Sequence, residues 1–453
     1  MINRKIDEFL DEFFRDETKA LLITGARQIG KTYSVREAAK RNFESFIEIN
    51  FITSPEAIGI FRGAKDVSEM LFRLSAFVNK PLVKGKTLVF FDEVQAYPEV
   101  VTLIKFLVDE GSYRYVLSGS LLGIELNNLR SEPVGYMDVK EMYPLDLEEF
   151  FLAIGLAENV LNILRQCWEE KKPVDEFVHQ RLMQAFRLYL VVGGMPQAVQ
   201  TYLDTNNLQN VLAVQKSILL EYQRDIMKYK KDDNDRKLYI EDIFKLIPSE
   251  LNAKNKRFIL KNLNENARFA TYENSFLWLR DAGVALPTNN IEEPKLPLLL
   301  AKTRNLFKLF QSDVGLLVSQ FAGGIQLQLL DDSQSINFGS IYENVVAQEL
   351  RAHGFDLYYY NSKKMGELDF VVEYQGNVLP IEVKSGKDYE RHNALSNVMA
   401  SAEYAIPEAL VLCNGNVKVV DKVTYVPIYM LMFLEKEVKV DVKYKVDLSD
   451  LKI

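Results

Sequence analysis

The chain has 453 residues, of which 48% are hydrophobic and 26% are charged, and these proportions are typical of globular proteins. The length predicts about three domains, each large enough to bury its own core. The net charge of −8 and the sequence pI of about 5.3 exclude a general polycation, so contact with a nucleic acid would require a local basic patch. Only Cys167 and Cys413 are present, which excludes a disulfide framework and indicates a reducing cytoplasm.

No targeting segment or membrane span is predicted. The N-terminal stretch "MINRKIDEFLDEFF" is charged and amphipathic, and it lacks the apolar core of a signal peptide. No run approaches the ~18 apolar residues of a membrane span. Residues 425–434 come nearest, but they are interrupted by a proline, and we predict a buried strand there. We therefore expect a cytoplasmic protein with no membrane partner.

Residues 1–145 alternate between apolar strands and helices. The predicted strands are "KALLITGA", "FIEINF", "KTLVFFDEV" and "YRYVLSGS", and the first is followed by the predicted helix "KTYSVREAAKRN". Continuous apolar strands separated by helices indicate a parallel sheet that is covered on both faces. The predicted fold class of this region is therefore α/β.

The rest of the chain divides into three predicted regions. Residues 146–235 have helical periodicity and are predicted to form a helical lid or linker, which ends in a charged run at 228–237. Residues 236–332 are predicted to contain short helices followed by strands. Residues 333–453 have the predicted order helix, strand, strand, strand, helix, strand.

The segment "GARQIGKT", residues 25–32, follows an apolar strand and precedes a helix, which is the context of a phosphate-binding loop. Gly25 and Gly30 allow the backbone to curve so that its N–H groups face a phosphate. Lys31 would reach the β- and γ-phosphates, and the hydroxyl of Thr32 would hold Mg²⁺. The predicted nucleotide-binding residues of the loop are Gly25, Ala26, Arg27, Gln28, Ile29, Gly30, Lys31 and Thr32.

Two other strand ends support a nucleotide site. The strand "LVFFDE" ends in Asp92, which would bind the Mg²⁺ shell, and Glu93, which would polarise the attacking water. Ser118 and Ser120 end the next strand, where either would sense the γ-phosphate or cap the following helix. The motifs together predict binding of ATP or GTP, and the adjacent carboxylates favour hydrolysis.

The segment "GELDFVVEYQGNVLPIEVKSGK", residues 366–387, carries charged side chains among strand-forming residues. Residues two apart in a strand share a face, so Glu382 and Lys384 lie on one side of the predicted strand. If the strands form a hairpin that turns at "YQGN", Asp369 lies beside Glu382, and two such carboxylates bind Mg²⁺ through oxygen. Lys384 would then orient the attacking water or help to deprotonate it.

Glu343 would join this predicted site from the helix "SIYENVVAQELRAHG", on a face that can turn toward the strands. Two interpretations stay open at this point. The charged residues form the metal site of a nuclease, or they lie on a half-exposed strand and have a structural role.

Residues 254–286 have the order of a winged helix, with two short helices followed by a hairpin predicted through Asn289 and Asn290. Segment 254–268 carries five basic residues against one acidic residue, and this local excess predicts contact with DNA. The alternative is a protein–protein or lid module with a solvated face. The basic residues are Lys254, Lys256, Arg257, Lys261 and Arg268.

These motifs, with "YPLDLEEF" and "GGMP", resemble those of bacterial and archaeal AAA-type P-loop ATPases that carry a C-terminal domain of unknown function. The resemblance extends over essentially the whole chain. The C-terminal set resembles the PD-(D/E)xK nuclease core, and the resemblance implies a restriction-endonuclease-like α/β domain with ATP and Mg²⁺ as cofactors. The active-site residues implied in this domain are Glu343, Asp369, Glu382 and Lys384.

One position departs from the family pattern. Many relatives place an arginine directly after a glycine, shortly before the Pro-Leu element, whereas this chain has Tyr136 after Gly135. If that arginine acts between subunits, Arg130 and Arg114 are the nearest substitutes here. An oligomer is therefore not supported by a clear arginine finger.

The sequence supports two functional hypotheses. In the first, the chain binds and hydrolyses ATP and acts on DNA through segment 254–268 and its C-terminal domain, which is a Mg²⁺-dependent nuclease. In the second, it is a nucleotide-switched binding protein whose nuclease-like domain does not cleave. The predicted domains are a P-loop ATPase domain (1–145), a helical lid (146–235), a winged-helix-like domain (236–332) and a nuclease-like domain (333–453).

Overall fold

The computed structural model describes residues 2–78, 82–119, 135–228, 234–253, 256–265, 268–331 and 338–436 of the chain. The described residues form two β-sheets, one of five strands in the N-terminal part and one of eight strands in the C-terminal part. Helices connect the two sheets along the chain. Both parts are therefore mixed α/β structures, as predicted.

The N-terminal part contains a fully parallel sheet with helices around it. Its strands are β1 (Ala20–Thr24), β2 (Ser45–Asn50), β3 (Thr87–Asp92), β4 (Arg114–Ser118) and β5 (Met137–Glu141). Its helices are α1 (Lys5–Asp16), α2 (Lys31–Asn42), α3 (Ile58–Phe61), α4 (Val67–Val78) and α5 (Glu99–Glu110). The strand order across the sheet is β2-β3-β4-β1-β5.

This sheet is covered on both faces, as the apolar strands predict. Successive residues of a strand point to opposite faces. In β3, Leu88 and Phe90 belong to one apolar core, and Val89 and Phe91 belong to another. Because both faces are buried, polar side chains reach the sheet at the ends of its strands, and the predicted nucleotide-site residues lie there.

The helical region begins directly after β5. Its helices are α6 (Leu147–Ala153), α7 (Glu158–Glu169), α8 (Glu176–Val192), α9 (Pro196–Thr205), α10 (Leu208–Lys228) and α11 (Asn234–Asn252). Asp146 caps α6, because its side chain accepts a hydrogen bond from the backbone N–H of Glu149. The charged run predicted at 228–237 falls partly outside the described residues.

The "GGMP" break between α8 and α9 is a close contact of three chain segments. A Cβ on Gly194 would lie 2.1 Å from the carbonyl oxygen of Leu145. A Cβ on Gly193 would lie 2.4 Å from Asp313 Oδ1, and Asp313 Oδ2 accepts a hydrogen bond of 2.6 Å from the N–H of Gly194. Pro196 then starts α9, where its missing N–H breaks no helical hydrogen bond. The two glycines therefore allow the helical region to touch the C-terminal part directly.

The C-terminal part contains the second sheet. Its strands are β6 (Ala285–Ile291), β7 (Lys302–Gln311), β8 (Tyr358–Ser362), β9 (Gly366–Tyr374), β10 (Asn377–Val383), β11 (Ala409–Cys413), β12 (Lys418–Val420) and β13 (Val423–Pro427). Its helices are α12 (Phe269–Asp281), α13 (Val314–Ser319), α14 (Ile325–Leu330), α15 (Gly339–Ala352) and α16 (Asn393–Met399). The strand order is β12-β13-β11-β10-β9-β8-β6-β7.

The elements from α15 to β11 follow the predicted order of helix, three strands, helix and strand. Strands β9 and β10 form an antiparallel hairpin that turns at residues 374–377, as expected from "YQGN". Strand β11 is parallel to β10, and α16 lies between them in the chain.

The hairpin of β6 and β7 differs from the predicted wing. Asn289 and Asn290 lie inside β6, so the prediction of a turn at these two residues is wrong. Strand β6 pairs in parallel with β8, and the hairpin therefore extends the second sheet across the predicted boundary between residues 332 and 333. The physical reason is that the edge of β8 carries N–H and C=O groups that need partners, and β6 supplies them.

The apolar run at 425–434 is a strand only in its first part. Strand β13 ends at Pro427, and Ile428–Phe433 form a buried 3₁₀ helix. Proline has no N–H to continue the ladder, so the strand stops where the proline occurs. None of the helices in the described ranges is both long and apolar enough to cross a lipid bilayer.

A buried carboxyl group lies where α15 meets the start of α6. Glu349 is fully buried, and its Oε1 accepts a hydrogen bond of 3.0 Å from the backbone N–H of Leu147. Burial, together with the nearby carboxylate of Asp146, raises the pKa of Glu349 to about 8. The folded protein therefore keeps a proton on Glu349 at pH values where the unfolded chain has lost it.

We predict that Glu349→Gln flattens the pH dependence of stability. The folded-state pKa of about 8 lies above the ordinary value of 4.5, so wild-type stability from this group is complete below 4.5 and is lost as the pH rises through 8. The glutamine cannot ionise, and the variant should exceed the wild type by about 2 kcal/mol or more at pH 9 while matching it near pH 5. Urea unfolding between pH 5 and pH 9, on the order of one point per pH unit, measures this difference.

Glu390→Gln is the control for this prediction, because Glu390 is exposed and pairs with Lys418 at the surface. Parallel pH profiles for the wild type and Glu349→Gln would show that Glu349 is not protonated in the folded state.

Candidate functional site

The loop between β1 and α2 has the geometry of a phosphate-binding loop. Gly25 has a φ of 127° and Gly30 a φ of 95°, both in the left-handed region that favours glycine. A Cβ on Gly25 would lie 2.2 Å from the carbonyl oxygen of Met142, so a larger residue does not fit there. Gly30 immediately precedes α2, whose N-terminus offers N–H groups and partial positive charge. A phosphate therefore finds both the curved backbone and the helix end that it requires.

The ammonium group of Lys31 bonds to its own loop. Nζ donates hydrogen bonds of 3.0 Å to the carbonyl oxygen of Gly25 and 2.7 Å to that of Ala26. Burial lowers the pKa of Lys31 to about 8, although the carboxylates of Glu93 and Asp92 oppose the shift. A bound phosphate would replace the carbonyl contacts with stronger charge-assisted hydrogen bonds.

Asp92, at the end of β3, accepts hydrogen bonds from polar residues of the neighbouring strands and of the helix that follows the phosphate-binding loop. Its Oδ2 accepts hydrogen bonds of 3.1 Å from Thr32 Oγ1 and from Asn50 Nδ2. Its Oδ1 accepts a hydrogen bond of 2.5 Å from Ser118 Oγ. The hydroxyl of Thr32 and the carboxylate of Asp92 are oxygen ligands of the kind that Mg²⁺ takes, and they lie together beside the loop. The residues present therefore fit a nucleotide-bound Mg²⁺.

Ser118 and Ser120 were alternative candidates for sensing the γ-phosphate. Ser118 is fully buried and donates its hydrogen bond to Asp92. Ser120 lies outside the described residues. The contact of Ser118 orients the carboxylate of Asp92, which is a role that the sequence did not predict.

Glu93 follows Asp92 in a backbone conformation that residues other than glycine rarely adopt, with a φ of 54°. Its carboxylate accepts a hydrogen bond from the side-chain amide of Gln95. Strained backbone of this kind is common at functional sites, because the surrounding structure has to stabilise it. The role of Glu93 in polarising the attacking water stays a prediction.

Helix α10 holds the tip of the phosphate-binding loop. The guanidinium of Arg27 pairs with Asp225 at 2.9 Å, and the side-chain amide of Gln28 donates to Glu221. The hydroxyl of Tyr222 donates to the carbonyl oxygen of Arg27 at 3.2 Å across a sequence separation of 195 residues. Sequence reasoning missed these contacts, because the acidic residues of α10 look like an ordinary solvated face.

A second segment touches the loop from the C-terminal part. A Cβ on Gly283 would lie 2.8 Å from the backbone nitrogen of Ala26. Gly283 has a φ of 70° and connects α12 to β6. The side chain of Ile29 is fully buried behind the loop. Both α10 and the connection at Gly283 therefore bring the nucleotide site into contact with the rest of the chain.

Arg114, one of the two arginines considered as a substitute finger, lies away from the nucleotide site of its own chain. Arg114 begins β4, whereas Ser118 at the other end of that strand binds Asp92. A strand of this length spans about 13 Å, which separates Arg114 from the site. Arg130 lies outside the described residues.

In the C-terminal part, the β9–β10 hairpin brings the predicted carboxylates together. Its register places Glu382 beside Asp369. Asp369 Oδ2 accepts a hydrogen bond of 2.9 Å from the N–H of Val383, and Lys384 Nζ donates one of 2.7 Å to Glu382 Oε1. The other oxygen of Glu382 is buried and has no hydrogen-bond partner among the described residues. Lys384 therefore points toward the carboxylates, as the nuclease interpretation requires.

Two lysines that the sequence analysis did not select bind the same cluster. Lys308 in β7 is fully buried, and its Nζ lies 2.8 Å from Glu367 Oε1 and 3.4 Å from Glu343 Oε2. Lys256 pairs with the other oxygen of Glu343. The signal for Lys308 was present in "NLFKLF", since a lysine in the middle of an apolar strand needs a buried partner.

The charges of this carboxylate cluster are strongly coupled. Burial raises the pKa of Asp369 well above its ordinary value, and the carboxylates of Glu343 and Glu382 act in the same direction. Burial also acts to raise the pKa of Glu343, but the ammonium groups of Lys308 and Lys256 outweigh burial and lower this pKa. The two lysines therefore favour the ionised form of Glu343, whereas its surroundings disfavour ionisation of Asp369.

A divalent cation does not fit the carboxylate cluster in this arrangement. Both oxygens of Glu343 are bonded to lysine ammonium groups, and Lys308 also occupies Glu367. Within the described ranges, no three His, Cys, Asp or Glu side chains are placed so that they could hold a metal ion. Binding of Mg²⁺ by Asp369 and Glu382 therefore stays a prediction, and lysines neutralise the cluster in the structure.

A cavity of about 490 Å³ lies between the phosphate-binding loop and the second sheet, and its lining includes Ala26 as well as several cations of the C-terminal part. Lys302 and Arg304 come from β7, and Arg280 comes from α12, while the carboxylates of Glu141, Glu273 and Asp356 line the cavity as well. Burial lowers the pKa of Lys302, and the like charges of Arg280 and Arg304 lower it as well. Lys302 forms no ion pair within the described ranges, so an anionic ligand would relieve this repulsion.

The basic segment at 254–268 is not a continuous surface patch. Lys256 turns inward to pair with Glu343, because a fully buried carboxylate needs a cation nearby. Lys261 and Arg268 are exposed, and Lys254 lies outside the described residues. The positive charge of Lys256, which was predicted to contribute to DNA binding, is therefore neutralised inside the protein.

Comparisons with known families cover three stretches of the chain. Residues 17–151 match the model of an AAA domain. Residues 183–326 match a domain of unknown function, DUF8612, and residues 338–431 match another, DUF4143. No curated protein matches the chain.

Solved structures with similarity to the chain include a Walker-type ATPase. The Walker-type ATPase PABY2304 of Pyrococcus abyssi is 14% identical over 70% of this chain and 95% of its own, with a TM-score of 0.42. A single-substitution variant of RuvB from Thermotoga maritima is 16% identical over 63% and 88%, with a TM-score of 0.28. Cdc6p of Pyrobaculum aerophilum is 14% identical over 72% and 92%, with a TM-score of 0.25.

The family match and the geometry of the loop agree with each other. The matched stretch contains the parallel sheet, the phosphate-binding loop and the Thr32–Asp92 pair. Residues 17–151 are therefore an AAA-type P-loop ATPase domain.

Proposed function

We propose that the chain is an ATP-hydrolysing switch that acts on DNA through its C-terminal half, which has a PD-(D/E)xK nuclease-like core. The observation that carries this proposal is the direct contact of the phosphate-binding loop with α10 and with Gly283. Because both contacts lie outside the ATPase domain, a change at the loop reaches the C-terminal half. Cys167 and Cys413 are both free, which agrees with the cytoplasmic location that we expect.

ATP binding begins with the release of Lys31 from the carbonyl oxygens of Gly25 and Ala26. The freed ammonium group binds the β- and γ-phosphates, while the N-terminus of α2 supplies backbone N–H groups. Mg²⁺ bound with the nucleotide neutralises phosphate charge and would be held by Thr32 and Asp92. Asn50 and Ser118 keep the carboxylate of Asp92 in place.

Hydrolysis depends on Glu93. Its carboxylate follows the strand end that carries Asp92, and it lies close enough to Lys31 to influence that pKa. In this position it orients the attacking water and accepts a proton from it as the new oxygen–phosphorus bond forms and the bond from the γ-phosphorus to the leaving ADP oxygen breaks.

The switch uses the contacts at the tip of the loop. Arg27 and Gln28 are held by α10 through Asp225 and Glu221. A triphosphate placed on the loop competes with these carboxylates for the guanidinium of Arg27 and repels them. Helix α10 therefore has a different contact energy in the two nucleotide states, which is what a switch requires.

DNA contact is supported by the cation-lined cavity next to the loop. Arg304 pairs with Glu273 and Arg280 with Asp281, whereas Lys302 forms no ion pair among the described residues, so a phosphate backbone would neutralise Lys302 in particular. The cavity also includes Ala26, so bound DNA and bound nucleotide would affect the same loop.

The nuclease-like interpretation of the C-terminal domain is supported by geometry. The order of elements, the β9–β10 register and the convergence of Glu343, Asp369, Glu382 and Lys384 agree with the resemblance. The alternative, a nuclease-like domain that binds without cleaving, is favoured by one observation. Lys308 and Lys256 neutralise the carboxylates that would otherwise bind a metal ion.

We predict that Lys31→Ala abolishes ATP binding and that Glu93→Gln keeps binding but lowers the hydrolysis rate by about 100-fold or more, because only the first variant removes a phosphate contact. Binding of a fluorescent ATP analogue and phosphate release measure the two effects separately. Lys105→Ala, an exchange on the outer face of α5, is the matched lysine control. Unchanged ATPase activity in Lys31→Ala would refute the site assignment.

We predict that Lys302→Ala and Arg304→Ala each weaken DNA binding and each lower the slope of log affinity against log salt concentration by about 1, since each removes a phosphate contact. Fluorescence anisotropy with labelled single- and double-stranded oligonucleotides measures the affinity at several salt concentrations. Lys418→Ala is the control, because Lys418 pairs with Glu390 on the distant strand β12. Equal affinity and equal slopes in all four proteins would contradict DNA binding at the cavity.

A further inference from the structure

Lys308 and Lys256 both come from outside the predicted nuclease-like domain. Lys308 lies on β7, and Lys256 follows the end of α11, whereas their partners Glu343 and Glu367 lie on α15 and β9. The side chain of Lys308 is 0% exposed, so its charge has no access to water. Such an ammonium group is stable only in the company of ionised carboxylates.

We propose that Lys308 and Lys256 close the carboxylate cluster to divalent cations, so that the nuclease-like site stays without a metal ion as long as both ammonium groups are paired there. The inference rests on the proposed nuclease-like function of the C-terminal domain, and it assigns that site a closed state. The ammonium groups bind both oxygens of Glu343 and one oxygen of Glu367, and they place two positive charges near the predicted metal ligand Asp369. A dication brought next to Lys308 would also be repelled by its buried charge.

The cluster retains a group that a cation would satisfy. One oxygen of Glu382 is bonded to Lys384, but the other has no hydrogen-bond partner among the described residues, and the residue is only 6% exposed. Glu382 lies beside Asp369, whose Oδ2 accepts a hydrogen bond of 2.9 Å from the N–H of Val383. An unpaired carboxylate oxygen next to a second carboxyl group is a position that a cation would stabilise once a lysine charge is removed.

The two closing residues differ in their surroundings, because only Lys256 is partly exposed and lies in a strained backbone conformation. Lys256 has a φ of 48°, a conformation that is strained for any residue except glycine, and its side chain keeps 24% exposure. Its segment follows α11, the helix after α10, which contacts the phosphate-binding loop. Lys308 belongs to the hairpin that starts just after Gly283, which touches Ala26. Each closing lysine therefore lies further along the chain from a contact of the nucleotide site, Lys256 31 residues after Asp225 and Lys308 25 residues after Gly283.

The test is the affinity of the nucleotide-free full-length chain for Mn²⁺. Electron paramagnetic resonance and the Mn²⁺-dependent rise in melting temperature both measure it. The variants are Lys308→Met and Lys256→Met, each with and without Asp369→Asn, and Lys418→Met is the surface control. We expect the two closing-lysine variants to bind Mn²⁺ about 10-fold or more tightly than the wild type, because each lacks one adjacent positive charge. The added Asp369→Asn exchange should remove the gain, and Lys418→Met should behave as the wild type.

Lys308→Met leaves buried carboxylates without a partner and can prevent folding. If Lys308→Met does not fold, the Mn²⁺ affinity of Lys256→Met tests the proposal, because Lys256 is partly exposed. Folding of Lys308→Met only in the presence of Mn²⁺ would also support the proposal. Two results would overturn it: an Asp369-dependent Mn²⁺ site of equal affinity in the wild type, or no gain in folded Lys256→Met. DNA binding, measured without divalent cations, is a separate test, so failure of the proposed function leaves the Mn²⁺ result interpretable.

Discussion

The ammonium group of Lys308 is buried at the edge strand of the second sheet, where an unpaired charge would be strongly destabilising. Glu367 on β9 and Glu343 on α15 satisfy it, and these two contacts fix the β6–β7 hairpin against both the sheet and the helix that covers it. The pairing makes one structural unit of two regions that the sequence divides at residue 333. Because the charges are matched across the boundary, neither region can be moved without exposing or separating an ion pair.

The nucleotide site is tied to the same unit through contacts at its phosphate-binding loop. Asp225 on α10 holds Arg27, and Gly283 approaches Ala26 so closely that a side chain is excluded. The chain that continues from each contact leads to one of the lysines in the carboxylate cluster, Lys256 or Lys308. The predicted nucleotide site at one end and the charge pairs at the other therefore lie along the same segments, which is the physical basis of the switch that we propose.

Local features of the fold followed from the sequence with few errors. Apolar strands predicted the parallel sheet, and "YQGN" predicted the turn that sets Asp369 beside Glu382. The hairpin at Asn289 and Asn290 was wrong, since an Asn-Asn pair is compatible with a turn but is equally accommodated in a strand that finds a partner in β8. The role of Lys256 was misjudged for a related reason: a lysine in a basic segment is normally solvated, and only its contact with Glu343 shows that it is used inside.

By itself the sequence determined the phosphate-binding loop, the Asp92–Glu93 strand end and the alternation that places Glu382 and Lys384 on one face. These features depend on neighbours within a few residues, through glycine conformations and the two-residue period of a strand. Only the tertiary structure decided which charges meet, because Glu343 is 35 residues from Lys308 and 87 from Lys256 in the chain. Burial of those charges away from water forces them to pair, and the pairing turns an apparent metal site into a cluster closed by lysines.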